Sequence, residues 1–481
     1  MIPSVRIKKA DGQTGVVKPS ADGILAIVAP SEKGAFNQPA TYTRPELADG
    51  DFGAGALVEA GAYVMDAAQR PVVLLRGNPS IGSAYGALNY AGAGTAPITA
   101  GSTKPLDDFD VLVTFNNDGN VGTAGILYQW SLDGGLTMSP ATALGVATTI
   151  AIPKSGVSLA LGAGTILAGE SISFSTTGPK LNSVDLTTAL EALRTAKIPW
   201  EALLVFADAD ATIVSLLDLW LSAREAEGTY RTAVVNTRIR ANGESEADYR
   251  SAMQAAFGQA TSTRVVVGTD AGDIVALRRG IRQRRPASLA IAARGMAIEI
   301  STDVAYVADG PAIGFQLSDD AGLPKFHDEA SYPGLDDLRL STLRTFSSRD
   351  GVYITNGNLL SPADSDFVYW QHARVLNKAC ALAFDLLTSR LSKGVRRDRK
   401  TGRILESEAE AIESLVQTAL NRELVKPRHV SDAAFLLSRD DDISSNAGAT
   451  LTGDVEVASL AYIKRFGISS RFVKTITARG T

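Results

Sequence analysis

The sequence predicts a mixed α/β fold: a discontinuous, multi-layer α/β core that carries an inserted small β domain and ends in two exchangeable β arms. Two blocks of the chain alternate short, wholly apolar strand runs with helix-length amphipathic segments, the pattern of a parallel or mixed sheet covered on both faces. Between those blocks the composition shifts abruptly to Gly, Ser, Thr and Ala, with short strand runs separated by turn dipeptides. Both ends of the chain read as strands with no helix to cover them.

Taken in order, residues 1–20 form an N-terminal arm, where Ser4-Val5-Arg6-Ile7-Lys8-Lys9 alternates apolar with basic residues before the turn-rich Asp11–Gly15 and a short strand at Val16-Val17. The first core segment, 21–90, holds a buried strand at Gly23–Ala29, an alanine-rich helix from Gly55 to Gln69 and a strand at Pro71–Arg76. The inserted β domain, 91–180, carries strands such as Asp110–Phe115 and Gly125–Trp130, with Asp133-Gly134 as a turn. The α/β rhythm resumes over 181–325. Helices are expected there at Ser183–Ala196, Ala211–Ala226, Glu244–Gly258 and Pro286–Ile298, the last with proline in its first turn. The strands between them are Ala202–Ala207, Arg231–Val235 and Thr263–Val267.

The C-terminal core, 326–450, is predicted to hold a long amphipathic helix at Asp364–Leu391 and a second at Ile404–Asn421, opened by a Ser407/Glu410 capping box. A basic hairpin from Lys393 to Arg403 lies between them. The C-terminal arm, 451–481, reads as strands Val455–Ile463 and Arg471–Thr477. Unpaired strand edges recruit another chain. The ends are therefore expected to join copies of the protein, with Val5, Ile7, Val16, Val17, Val455, Val457, Ile463, Phe472, Val473 and Ile476 as the pairing residues.

Composition bounds the function. At 481 residues the chain is about three times a typical domain of roughly 150 residues. Its 52 acidic and 47 basic residues give a net charge of -5, which offers no general attraction for nucleic acid or an anionic membrane surface. A single cysteine, Cys380, sits in a helical pattern as a buried thiol and forms no internal disulfide, which suits a reducing cytoplasm. Met1 opens no signal-peptide pattern, and the longest uncharged stretch, near Gly156 to Gly169, is too short for a bilayer.

Catalytic and cofactor motifs are sparse. The 44 glycines form neither a dinucleotide-binding nor a phosphate-loop run, and His327, His372 and His429 fit no metal-ligand spacing, so no cofactor or metal is expected. Asp208, directly after the strand Leu203–Ala207, stands where a phosphatase-like α/β hydrolase would keep its nucleophile, with Asp270 and Asp273 as the remaining carboxylates. No lysine lies between Lys197 and Lys325 to serve that chemistry, and Asp210 as an ordinary helix N-cap accounts for the same residues. The basic run Arg278–Arg285 is expected to be a solvated face or a docking patch for an acidic surface. A capsid or secreted surface protein built on the β domain is a third possibility.

One family likeness spans most of the chain. Leu340–Phe346, Asp350–Leu360, Asp364–Tyr369 and Arg374–Ala379, together with the early Ile27-Val28-Ala29-Pro30-Ser31-Glu32-Lys33-Gly34, resemble the contractile tail sheath proteins of phages, in a divergent branch that has Asn356-Gly357-Asn358 in place of a Trp-Gly-Ala-Arg-type sequence. The resemblance implies a non-enzymatic part of a virion tail, or of a related injection device, assembled in the host cytoplasm. Such a protein polymerises helically with itself around a tail tube, meets baseplate and tail terminator proteins, and shortens on triggering. Arg396, Arg397, Arg399, Lys400 and Arg403 are then the expected tube-facing residues.

Overall fold

The computed structural model describes residues 21–464, apart from 242, 276–279, 281, 319–324, 326–333, 363 and 445–449. It divides into two units, 1–391 and 392–481. The first is built on a six-stranded sheet. Its opening elements are β1 (Leu25–Ala29), β2 (Ala40–Tyr42), α1 (Pro45–Phe52), α2 (Ala56–Ala68) and β3 (Val72–Arg76). A β-rich insertion follows, from β4 (Ala84–Tyr85) to β14 (Ser171–Thr177). Next come α3 (Ser183–Ala196), β15 (Ala202–Asp208), α4 (Ala211–Ala226), β16 (Thr232–Asn236), α5 (Glu246–Phe257) and β17 (Val265–Gly268).

The sheet order is β17-β16-β15-β1-β3-β2, parallel throughout except for the antiparallel edge strand β2. Its central strands are near-continuous apolar runs because helices cover both faces. Leu25, Ile27, Val72, Leu74 and Leu204 point to one face, packed by α2 and by α6 (Ala287–Ala297). Ala26, Val28, Val73, Leu75 and Val205 point to the other, where α3, α4 and α5 lie. The α3 start follows from local chemistry: Asn182 accepts from the backbone N–H groups of Val184 and Asp185, and Asp185 caps the Asn182 N–H in return.

The insertion has its own core. Val111, Val113 and Phe115 of β7 (Phe109–Phe115) pack with Ile172 and Phe174 of β14 and with Ile150, Leu159 and Ile166. The residues leading into β7 are tied to a hairpin outside the insertion. Arg285, at the end of the hairpin β18 (Ala271–Val275) and β19 (Arg282–Pro286), donates to both carboxylate oxygens of Asp107 at 3.0 and 2.7 Å. The side chains are only 6% and 8% exposed. This corrects the expectation of a solvated or docking basic face. Arg282 pairs with Asp273 and Arg284 with Asp270, so the described arginines of that run serve the fold.

A second hairpin, β20 (Leu343–Phe346) and β21 (Arg349–Ile354), leads to α7 (Trp370–Thr388). The sequence expectation starts this helix at Asp364, six residues early. Val368 accepts the Leu359 N–H and Gly357 accepts the Trp370 N–H, so Tyr369 bridges to Asn358 and the residues before Trp370 form a loop and not a helical turn. Trp370 is buried, donates to Thr232 at 2.8 Å and packs on Gly295, where a Cβ would fall 2.3 Å from the indole. Cys380, farther along α7, is half-buried, and burial pushes its thiol up from the usual range.

The second unit contains α8 (Glu406–Leu420), β22 (Asp432–Leu437) and β23 (Gly453–Ala458). The expected capping box does not form: Leu405 is the N-cap without a side-chain bond, and Ser407 already lies inside the helix. The entry is set instead by the preceding hairpin, where Leu405 donates its N–H to the Arg396 carbonyl.

Candidate assembly interface

The sheet of β22 and β23 has two chemically different edges. The strands are antiparallel, with Ala433 opposite Val457 and Phe435 opposite Val455. Ala433, Phe435 and Leu437 turn their side chains into the core of this unit. Their backbone groups point away from β23, and three of them are met by side chains of α8. Gln417 Oε1 accepts the Phe435 N–H at 3.1 Å, and its Nε2 donates to the Ala433 carbonyl at 2.7 Å. Glu413 Oε1 accepts the Leu437 N–H at 2.7 Å. Glu413 is itself held by Arg439, which donates to both of its oxygens at 2.6 and 2.9 Å and also to Glu406. The Arg439 hydrogen bond keeps the Glu413 carboxyl below its usual range.

Antiparallel pairing alternates, so the even-numbered residues face the partner strand, as the bond from the Ser438 N–H to the Thr452 carbonyl shows. Val455 and Val457 therefore aim their N–H and C=O groups outward. Among the described residues none bonds them, and both side chains are half-buried. Two of the expected arm residues thus pair within their own chain through their neighbours while keeping an open edge. The strand ends at Ala458, five residues before Ile463, which is 72% exposed. Val5, Ile7, Val16, Val17, Phe472, Val473 and Ile476 lie outside the described residues.

The basic hairpin is shaped by Asp398. Its carboxylate accepts from the N–H groups of Lys400 and Thr401, and its own N–H reaches the Arg403 carbonyl. Gly402, at φ +70°, closes the turn. Arg399 and Lys400 are left at an exposed tip, without an acidic partner among the described residues. Arg396 pairs with Glu408 at 2.7 Å and Arg403 with Asp440 at 3.0 Å. Arg397 bridges to Ile404 through its backbone and lies near Asp442. The five residues share one hairpin, but two of them are committed to ion pairs with Glu408 of α8 and with Asp440, just after β22.

In the first unit, the root of the N-terminal segment is fixed. The Gly23 N–H donates to Glu201, whose other oxygen accepts from buried Arg374 at 2.6 Å, and Lys378 pairs with Asp22 at 2.9 Å. Asp208 sits at the end of β15 with its carboxylate held by Lys180 at 2.5 Å. Asp210 caps α4, accepting from Thr212 and Ile213, as expected. Among the described residues no cluster of metal-ligating side chains occurs, and no helix is long and apolar enough to cross a membrane. Gln417, Glu413 and Arg439 escaped the sequence reading; the i, i+4 spacing of Glu413 and Gln417 beside the unassigned apolar run Ala433–Leu437 is the signal that points to them.

The fold has known counterparts. The chain aligns with the contracted helical sheath of the anti-feeding prophage at a TM-score of 0.52 and 11% identity, covering 99% of each chain. A chain of the contracted anti-feeding prophage baseplate aligns at 0.50 and 12% over 97% of each. The sheath tail protein of Listeria innocua gives 0.46 and 13%, with 91% of this chain and 96% of that one covered. These likenesses are of fold. No curated protein matches the chain in sequence. The DUF2586 N-terminal domain matches residues 2–358, well over half of the 481, and the chain belongs to that family.

Proposed function

We propose that this chain is the sheath subunit of a contractile phage tail or a related injection device, polymerised around a tail tube and joined to its neighbours by exchanged terminal strands. The reading is carried by the unbonded outer edge of Gly453–Ala458, on a chain whose fold follows a contracted sheath over 99% of both lengths. Main-chain pairing to such an edge gives affinity without demanding a particular side chain. Asp454 and Glu456 alternate with Val455 and Val457, the complement of Val5-Arg6-Ile7-Lys8, so the N-terminal arm of a neighbouring copy is the natural occupant. Strands linked in this way let subunit bodies rotate and repack during contraction while the mesh stays connected. The pairs of Gly23 and Asp22 with Glu201, Arg374 and Lys378 would pass tension in the arm into the body.

Negative-stain microscopy of the purified chain is the direct test. Tubes of stacked rings are expected, and a chain that stays monomeric or forms only amorphous material overturns the reading. The tube contact is assigned to the basic hairpin, with Arg399 and Lys400 at its tip and Arg396, Arg397 and Arg403 around them. Ion pairs there would be salt-sensitive and able to release on triggering. Replacing Arg397, Arg399 and Lys400 with glutamate should leave sheath polymers intact and stop co-assembly on tubes, measured by co-sedimentation. Unchanged loading refutes the contact. The ends of the polymer would meet baseplate and terminator proteins. A net charge of -5 gives no reason to invoke nucleic acid or membrane insertion.

A further inference from the structure

The two edges of the β22–β23 sheet raise a question that strand exchange leaves open: what stops a strand from adding on the wrong side. A two-stranded sheet ordinarily offers two rows of unpaired backbone groups, and each is a template for another chain. Here most of one row is already met, and met by side chains. Gln417 supplies both an acceptor and a donor, to the Phe435 N–H and the Ala433 carbonyl, imitating the pair of bonds that a neighbouring strand would make. Glu413 takes the next outward N–H, that of Leu437. Their i, i+4 spacing places both on one face of α8. Arg439 then clamps Glu413 in place, with Glu406 as its second partner, so the acceptor cannot easily swing out to solvent.

We propose that Gln417 and Glu413 form an edge guard that closes β22 to strand addition and confines the pairing of a second copy to β23. The guard makes assembly directional. With β22 closed, each sheet grows from one edge only, and the incoming strand must set its apolar residues beside Val455 and Val457. With both edges open, two copies could add to one sheet, and the ordered mesh would compete with indefinite edge-to-edge growth. Arg439 has two parts in this device: it positions Glu413, and its own guanidinium donates to the Leu437 carbonyl at 2.8 Å, filling a further outward group of β22. The consequence for polymer order rests on the sheath reading, whereas the protection of β22 does not.

The test therefore has two arms, both on the full chain. In the first, amide hydrogen exchange of the unassembled protein is followed at Phe435 and Leu437. Both amides are expected to be protected. Gln417→Met together with Glu413→Met keeps side-chain length but removes the bonds, and protection at these two amides should fall about tenfold, the factor that corresponds to roughly 1.4 kcal/mol per amide. Ala434 and Leu436, which bond β23, should be unchanged and report that the sheet is still folded. Glu413→Gln retains an acceptor and should restore protection at Leu437. Fast exchange of both amides in the unaltered chain overturns the guard.

In the second arm, the doubly substituted chain is examined by microscopy and by dye binding for cross-strand aggregates, beside the unaltered chain. Expected are bundled or branched products under conditions that give single tubes from the unaltered protein. Single tubes from a variant whose two amides have become labile overturn the directional role. Should the unaltered chain form no tubes, the sheath reading fails. The guard is then judged by whether the substituted chain self-associates while the unaltered one stays dispersed; no difference between them overturns it.

Discussion

Asp107→Asn should destabilise the protein by about 3–5 kcal/mol, the cost of leaving a buried charge without its partner. The Arg285 guanidinium is almost fully enclosed, with bonds to both Asp107 oxygens and to Gln283. Burial opposes its charge, but the Asp107 carboxylate more than offsets this and holds the guanidinium above its ordinary range. Removing the carboxylate charge takes away the offset and keeps the burial. Replacing both residues at once, Asp107→Leu with Arg285→Met, removes the desolvation penalty together with the attraction, so the double variant should lie far closer to the unaltered protein than either single one. Urea unfolding followed by circular dichroism measures all four corners of this cycle. A loss below about 1 kcal/mol for Asp107→Asn would mean that water or another group satisfies Arg285.

That pair also shows where sequence reading stops. Asp107 and Arg285 are separated by 178 positions, and nothing local to the run Arg282–Arg285 distinguishes an arginine turned inward from one in solvent. Once β19 is seen as a strand, alternation explains it: Gln283 and Arg285 face in, Arg282 and Arg284 face out. Elements governed by local chemistry were legible almost to the residue. The Asn182 and Asp210 caps fix the starts of α3 and α4, and continuous apolar runs identify β1, β3 and β15 as strands covered on both sides. Elements fixed by distant partners were not. The start of α7 is delayed by pairing of the segment before it with Gly357 and Leu359, and that of α8 is set by a hairpin whose register overrides the Ser407/Glu410 signal. The elements β2 and α1 escaped notice because three strand residues and an eight-residue helix carry too little periodicity to stand out.

The assembly interface was half legible for a related reason. Alternating apolar residues at Val455 and Val457 reveal a strand, but whether that strand is lent whole to a neighbour or first pairs at home depends on β22, a run too apolar to show alternation. Pairing at home does not remove the open edge; it moves the edge outward by one strand and orients it. The guard residues are polar positions on a helix, the commonest kind of residue in any helix, and acquire meaning only through the backbone groups they meet.

The largest effect on assembly is expected from Val457→Pro. Proline removes one backbone donor and fixes φ near −65°, which is tolerated in a sheet only where the N–H faces away from the ladder. The Val457 N–H does so, because the even-numbered neighbours Glu456 and Asp454 carry the bonds to β22. The hairpin should therefore survive, with the Ala434 and Leu436 amides still protected, while an incoming strand meets a missing donor and a ring in its path. A single edge bond is worth only about 0.5–1.5 kcal/mol. The loss is nevertheless repeated at every subunit of a polymer, and the ring also blocks the approach of the neighbouring backbone. Tubes should disappear and a folded, dispersed chain should remain, as should follow from deleting residues 1–17. Asp454→Pro is the contrasting substitution: its N–H faces β22, so the hairpin itself should open and the Leu436 amide should lose protection. Long tubes from the Val457→Pro chain, with Leu436 still protected, would show that neighbours do not join along this edge, and strand exchange at β23 would have to be abandoned even if the protein assembles.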